Sequence, residues 1–240
     1  MFVLLKKEFL YFFSSASGYI IVGIFLFLTG AMLWIFPGEY NIIDSGYAQI
    51  DGLFVLAPWL YLFLVPAVTM KSFSEEKRTG TIELIYTRPI SGLKIILAKY
   101  GASVLLVLFS LLPTLLYFAT VYYFAQPVGN VDTGGIFGSY IGLFFLAAVY
   151  AAIGIFASAI SENQVVSFVI AVFLCFFFYY GFDLLASISG TARKEFFLIG
   201  LGINSHYEAM SRGVIDIRDV VYFLSVIAIF IYSTKLVIKR

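Results

Sequence analysis

The apolar residues of this chain gather into six long runs, approximately Tyr19 to Phe36, Gly52 to Met70, Ile95 to Phe124, Ile136 to Ile160, Gln164 to Phe182 and Val220 to Ile238. A bilayer core of about 30 Å is crossed by roughly 20 helical residues, because only a helix or a closed barrel satisfies its backbone groups without water. The runs show no two-residue alternation, so the pattern predicts six membrane-spanning helices and not a barrel. Polar residues collect between the runs, most densely in "SFSEEKRTGTIELIYTRPIS", residues 72–91.

Composition supports the membrane reading. The 240 residues are 62% hydrophobic, 19% aromatic and 12% charged, with a mean hydropathy of +0.99; a soluble domain carries about 25% charged residues. The net charge of +1, without clusters of Lys and Arg interleaved with aromatics, argues against nucleic acid as a partner. Cys175 is the single cysteine, so the chain can form no internal disulfide and lacks a soft-metal ligand set. Lys6 and Lys7 precede an apolar stretch from about Gly18 to Phe36, which exceeds the roughly 7–15 residues of a signal-peptide core and reads as a retained first span.

Cations set the expected orientation, since short cytoplasmic loops are enriched in Lys and Arg. Lys6 and Lys7, then Lys71, Lys77, Arg78, Arg88, Lys94 and Lys99 around the second connection, and finally Lys235, Lys239 and Arg240 fall on one side. The loops "PGEYNIIDSGYAQID" and "AQPVGNVDTGG" on the other side contain no Lys or Arg. Both termini and residues 72–91 are therefore expected in the cytoplasm.

Within the charged connection, Ser72 and Glu75 match a capping box that would restart a helix. Gly80 interrupts it. "TIELIYT" then places Ile82, Ile85 and Tyr86 on one helical face before Arg88-Pro89 ends the helix. A helix this short is marginal alone, so its apolar face needs a surface to rest on. Glu75, Glu76 and Glu83 beside Lys77, Arg78 and Arg88 give mixed signs that suit a protein groove better than anionic lipid.

At these residues the sequence resembles the permease subunits of ABC-2 type transporters. "EEKRTGTIELIYTRPIS" is similar to the family's charged stretch, Gly-Thr-x-Glu-x-Leu core and Pro-Ile/Leu-Ser ending. The likeness covers the whole chain: the N-terminal "FVLLKKEFLYFFSSAS", six spans, and a hairpin before the last of them. "DGLFVLAPWLYLFLVPAVTMKSF", "PVGNVDTGGIFGSYIGLFFLAAVYAAIGIFASAIS" and "RGVIDIRDVVYFLS" further resemble permeases of gliding-motility ABC transporters.

The resemblance implies an all-α membrane protein, a six-transmembrane-helix bundle like that of type V exporters, forming one domain over residues 1–240. Residues 1–17 would be an amphipathic connecting helix, 72–91 a cytoplasmic coupling region and 184–218 an external re-entrant hairpin region. It also implies that Glu75, Arg78, Thr81, Ile82, Glu83, Leu84 and Arg88 dock on an ABC ATPase, and that a second, unlike permease completes the route through the bacterial inner membrane. No GxxxxGK[ST] phosphate loop is present, so ATP and Mg belong to the partner ATPase and this chain has no cofactor. A membrane scaffold or mechanical relay driven by the same ATPase is the alternative.

The remaining polar or unusual positions carry plainer expectations. Gly138, Gly142, Ala148, Ala152, Gly154 and Ser158 have the small-residue spacing that lets helices approach, which predicts packing within the chain more than a substrate path. Pro58, Pro66 and Pro113 predict kinks. Asp183 falls at a span end, where the interface wets it. His206 has no second ligand at metal spacing and no nucleophile to serve, so a surface or hairpin role is expected. In "EFFLIGLGINSHYEAMSRGVID" Gly200 and Gly202 break a segment too short to cross.

Overall fold

The computed structural model describes residues 2–14, 16–81, 83, 91–188 and 192–238. Its elements run α1 (Phe2–Ser14), α2 (Ala16–Trp34), α3 (Ile42–Ser45), α4 (Asp51–Thr69), α5 (Lys71–Arg78), α6 (Gly92–Leu111), α7 (Leu115–Phe124), α8 (Thr133–Ile160), α9 (Gln164–Phe176), α10 (Phe182–Ile188), α11 (Ala192–Ile199), α12 (Ile203–Ser211) and α13 (Ile217–Ile238). Six helical stretches are long and apolar enough to cross a membrane: Ala16–Trp34, Asp51–Arg78, Gly92–Phe124, Thr133–Ile160, Gln164–Ile188 and Ile217–Ile238. They coincide with the six predicted runs. Among the described residues there is no strand.

α8 is the axis of the bundle. In its most apolar stretch 78% of residues are buried, against 28% in α13. α4, α6, α9, α12 and α13 all pack on it. The small residues expected to pack inside the chain do so. A Cβ on Gly154 would fall 1.9 Å from Thr69 Oγ1 of α4, and one on Gly138 would fall 2.4 Å from the Met210 carbonyl of α12. Glycine makes room for the Thr69 side chain at the first position and for the neighbouring backbone at the second.

Large side chains fill the remaining core. Phe25 stacks on Tyr61 at 4.5 Å, and the Tyr61 hydroxyl meets Ser110 Oγ at 2.8 Å, tying α2, α4 and α6 together. Tyr150 is wholly buried, and its hydroxyl has no hydrogen-bond partner among the described residues. An unpaired buried hydroxyl is a cost that phenylalanine avoids at nearly equal volume. Tyr150→Phe is therefore expected to match or exceed wild-type stability by about 1 kcal/mol in a thermal unfolding assay. A loss of that size would show that the hydroxyl is satisfied.

Helix ends follow local chemistry. Asn41 caps α3 through Ile43 and Asp44 N–H, Asp132 caps α8 through Gly135 N–H, and Asn163 caps α9 through Val165 N–H. At Pro113, a 3₁₀ turn (Leu112–Thr114) separates α6 from α7. The fifth crossing contains a π-helical turn, Phe177–Gly181, that its aromatic sequence did not announce; Gly181 admits the Phe177 ring, which would lie 2.8 Å from a Cβ there. Before the last crossing, α11 stops ahead of Gly200 and α12 begins after Gly202. α12 seats Ile203, Tyr207 and Met210 in the core, with Tyr207 OH donating to the Phe54 carbonyl at 2.6 Å.

Candidate functional site: an ionic and hydroxyl clasp beneath the charged connection

α5 carries the first part of the charged connection, and it is a continuation of the second crossing. The expected capping box at Ser72 does not form. Met70 keeps helical angles (φ −54, ψ −31) and its N–H donates to the Pro66 carbonyl, so the chain passes from α4 to α5 without side-chain capping. With the turn preserved, no restart exists for Ser72 to cap. Gly80 does end the helix, in the left-handed region at φ 70, and the hydroxyls of Thr79 and Thr81 meet at 2.9 Å across that turn.

The α4–α5 joint is gripped by the end of α8. Ser158 Oγ accepts from Phe73 N–H at 2.9 Å and Ser74 N–H at 3.1 Å, and donates to the Met70 carbonyl at 2.9 Å. One hydroxyl thus serves three backbone groups where the helix turns. Lys77 Nζ donates to the Ala159 carbonyl, placing a cation on the negative end of α8.

A second grip is ionic. Lys99, on α6, is only 4% exposed. Its Nζ lies 2.7 Å from Glu76 Oε1 on α5, 3.4 Å from Glu8 Oε2 on α1, and 5.2 Å from the centre of the Phe73 ring. One buried cation therefore joins α1, α5 and α6. Glu76 Oε2 is buried without a hydrogen bond among the described residues. Removing water makes such a cluster expensive to break, because each member left alone is a charge without solvent.

Counting Lys99 among the loop cations was incorrect. It lies on the same helical stripe as buried Ile95, Ile96, Ala102, Ser103 and Leu106, so it points inward. That register was the available signal: an ionisable residue in the core stripe of a membrane helix needs a buried partner. α1 supplies one in Glu8. Leu4, Leu5, Glu8, Phe9, Phe12 and Phe13 face the bundle, and Lys6 and Lys7 face outward.

Of the residues singled out for docking, Glu75 is half-buried, and Arg78, Thr81 and Glu83 are exposed beyond the clasp. Ile82, Leu84 and Arg88, and the short amphipathic helix expected around them, lie outside the described residues. His206 is more held than a surface role requires. Its Nδ1 lies 2.6 Å from Asp219 Oδ1, its Nε2 3.0 Å from the Gly200 carbonyl, and its ring stacks on Tyr222 at 3.9 Å. Asp183 accepts from Asn204 Nδ2 at 3.2 Å, which links the fifth crossing to α12.

Six apolar crossings, one of them buried at the centre of the bundle, define a multi-pass membrane protein. The sequence profile described as ABC-2 family transporter protein matches residues 3–238, and the chain belongs to that family. Members are membrane subunits of transporters and normally lack an ATPase site of their own. No curated protein matches the chain.

Proposed function

We propose that this chain is the permease subunit of an ATP-driven exporter or extractor in the bacterial cytoplasmic membrane, worked by separate ABC ATPases that bind ATP and Mg. Both termini and residues 72–91 face the cytoplasm, following the cation distribution. A second, unlike permease completes the translocation route, and the physiological setting is gliding motility or cell-envelope maintenance. Residues 1–240 act as one domain, with 1–17 as the connecting helix, 72–91 as the coupling region and 184–218 as the external hairpin region.

The observation that carries this reading is the position of α5. On one side it runs into an exposed, mixed-charge turn that holds Arg78, Thr81 and Glu83. On the other it is bonded to α8 through Ser158, to α6 through Lys99 and, through that cation, to α1. Glu75, Arg78, Thr81, Ile82, Glu83, Leu84 and Arg88 meet the ATPase, and closure of the ATPases displaces α5. Packed helices move as units, so a displacement of α5 carries the end of α8 with it.

Glu83→Arg reverses the charge of an exposed residue in the turn and leaves the clasp intact. Co-purification of a tagged chain with its candidate ATPase is expected to fall to background in this variant, while membrane insertion and yield stay at wild-type levels. Undiminished co-purification would remove the docking assignment.

A further inference from the structure

At the end of the bundle away from Lys99, the helices part around a cavity of about 1470 Å³. Its wall combines two kinds of group. Trp34, Trp59, Tyr47 and Tyr180 supply aromatic faces from four segments of the chain. Asp51, Asp132 and Glu208 supply carboxylates, against Arg212 as the one cation among the described lining residues.

The charges are not balanced within the wall. Arg212 lies 3.7 Å from Glu208, and Asp132 accepts the Gly135 N–H at 3.0 Å as the cap of α8. Asp51 is exposed and has neither an ion-pair nor a hydrogen-bond partner among the described residues, and the charge of Asp132 repels it. Its place in the first turn of α4 offsets part of that repulsion, but a helix end supplies only about half a charge. The cavity thus presents negative potential inside aromatic walls. Ring faces and carboxylates both attract a cation, and the rings additionally accept apolar substituents.

We propose that this cavity is a binding site for an amphipathic organic cation, with the charge held near Asp51 and the apolar groups against Trp34 and Trp59. The volume admits a ligand with several rings, above the roughly 300–1,000 Å³ of common small-molecule pockets. Binding needs no ATPase, so the site stands whether or not the chain is worked by one.

Trp34 and Trp59 are the two tryptophans of the chain, and both line the cavity, so intrinsic fluorescence reports its occupancy directly. The full chain in phosphatidylcholine nanodiscs is titrated with tetraphenylphosphonium and, separately, with tetraphenylborate, an anion of the same shape. Saturable quenching by the phosphonium and none by the borate is expected. Asp51→Asn weakens phosphonium binding about tenfold, the effect of losing the Coulomb attraction of one partly screened charge, and Asp51→Glu restores it. Should Asp51→Asn fail to fold, Glu208→Gln reads the same dependence on charge. Quenching that never saturates, equal saturable binding of both ions, or an affinity indifferent to these carboxylates would overturn the proposal.

Discussion

Lys99→Ala is expected to destabilise the protein by about 3–5 kcal/mol, the range for removing one partner of a buried ion pair. Glu76 and Glu8 would remain close together, largely shielded from water, with the cation between them gone. For a chain of this length the melting temperature falls by roughly 10 °C, which size-exclusion chromatography after heating in detergent would record. A triple variant, Lys99→Met with Glu8→Gln and Glu76→Gln, separates lost charge from lost packing. It removes every charge of the cluster at similar volume and should recover most of the stability. If Lys99→Ala melts at the wild-type temperature, the three side chains are solvated and the clasp does not exist.

The other large effect is steric. Gly154→Ala places a methyl 1.9 Å from Thr69 Oγ1 and 2.9 Å from Thr69 Cβ, so α4 and α8 must separate. Overpacking of this kind costs about 1–3 kcal/mol, and the upper end is expected because Thr69 is itself fully buried with its hydroxyl bonded to the Val65 carbonyl. Thr69→Gly removes the obstructing side chain and costs roughly 0.3 kcal/mol in helix propensity relative to threonine. In a double-mutant cycle the pair should be more stable than the sum of the single changes. Strict additivity would show that α4 and α8 do not meet at this point.

Crossings were readable in the sequence because the bilayer demands long apolar helices, and that demand leaves little freedom in where they lie. Packing by small residues was readable for a similar reason, since small residues at the spacing of Gly138, Gly142 and Gly154 let helices approach closely. What escaped was register. Lys99 stands four residues after Ile95 and three before Ala102, inside the core stripe, but its proximity to a span end made it look like one more loop cation. Ser72 and Glu75 fit a cap motif, yet a motif matters only where a helix begins, and the second crossing had not ended. The role of Ser158 depends on a contact with residues more than eighty positions away, which no local pattern reveals. Gly181 closes the segment Phe177–Gly181, but a single glycine after an aromatic run does not specify a change of helical pitch. For the docking residues, Glu75, Arg78, Thr81 and Glu83 can be placed beside the clasp, and the remainder of that stretch rests on sequence alone.

The central position of α8 bears on how the polypeptide is made. Synthesis delivers the first three crossings before the one on which the second chiefly leans, because the principal contacts of α4 are with α8. During that interval the Thr69 side chain faces lipid or the insertion machinery, and Ser158 has not yet emerged to serve the joint at Met70. The nascent bundle therefore consolidates late, when the fourth crossing threads between partners already waiting in the membrane.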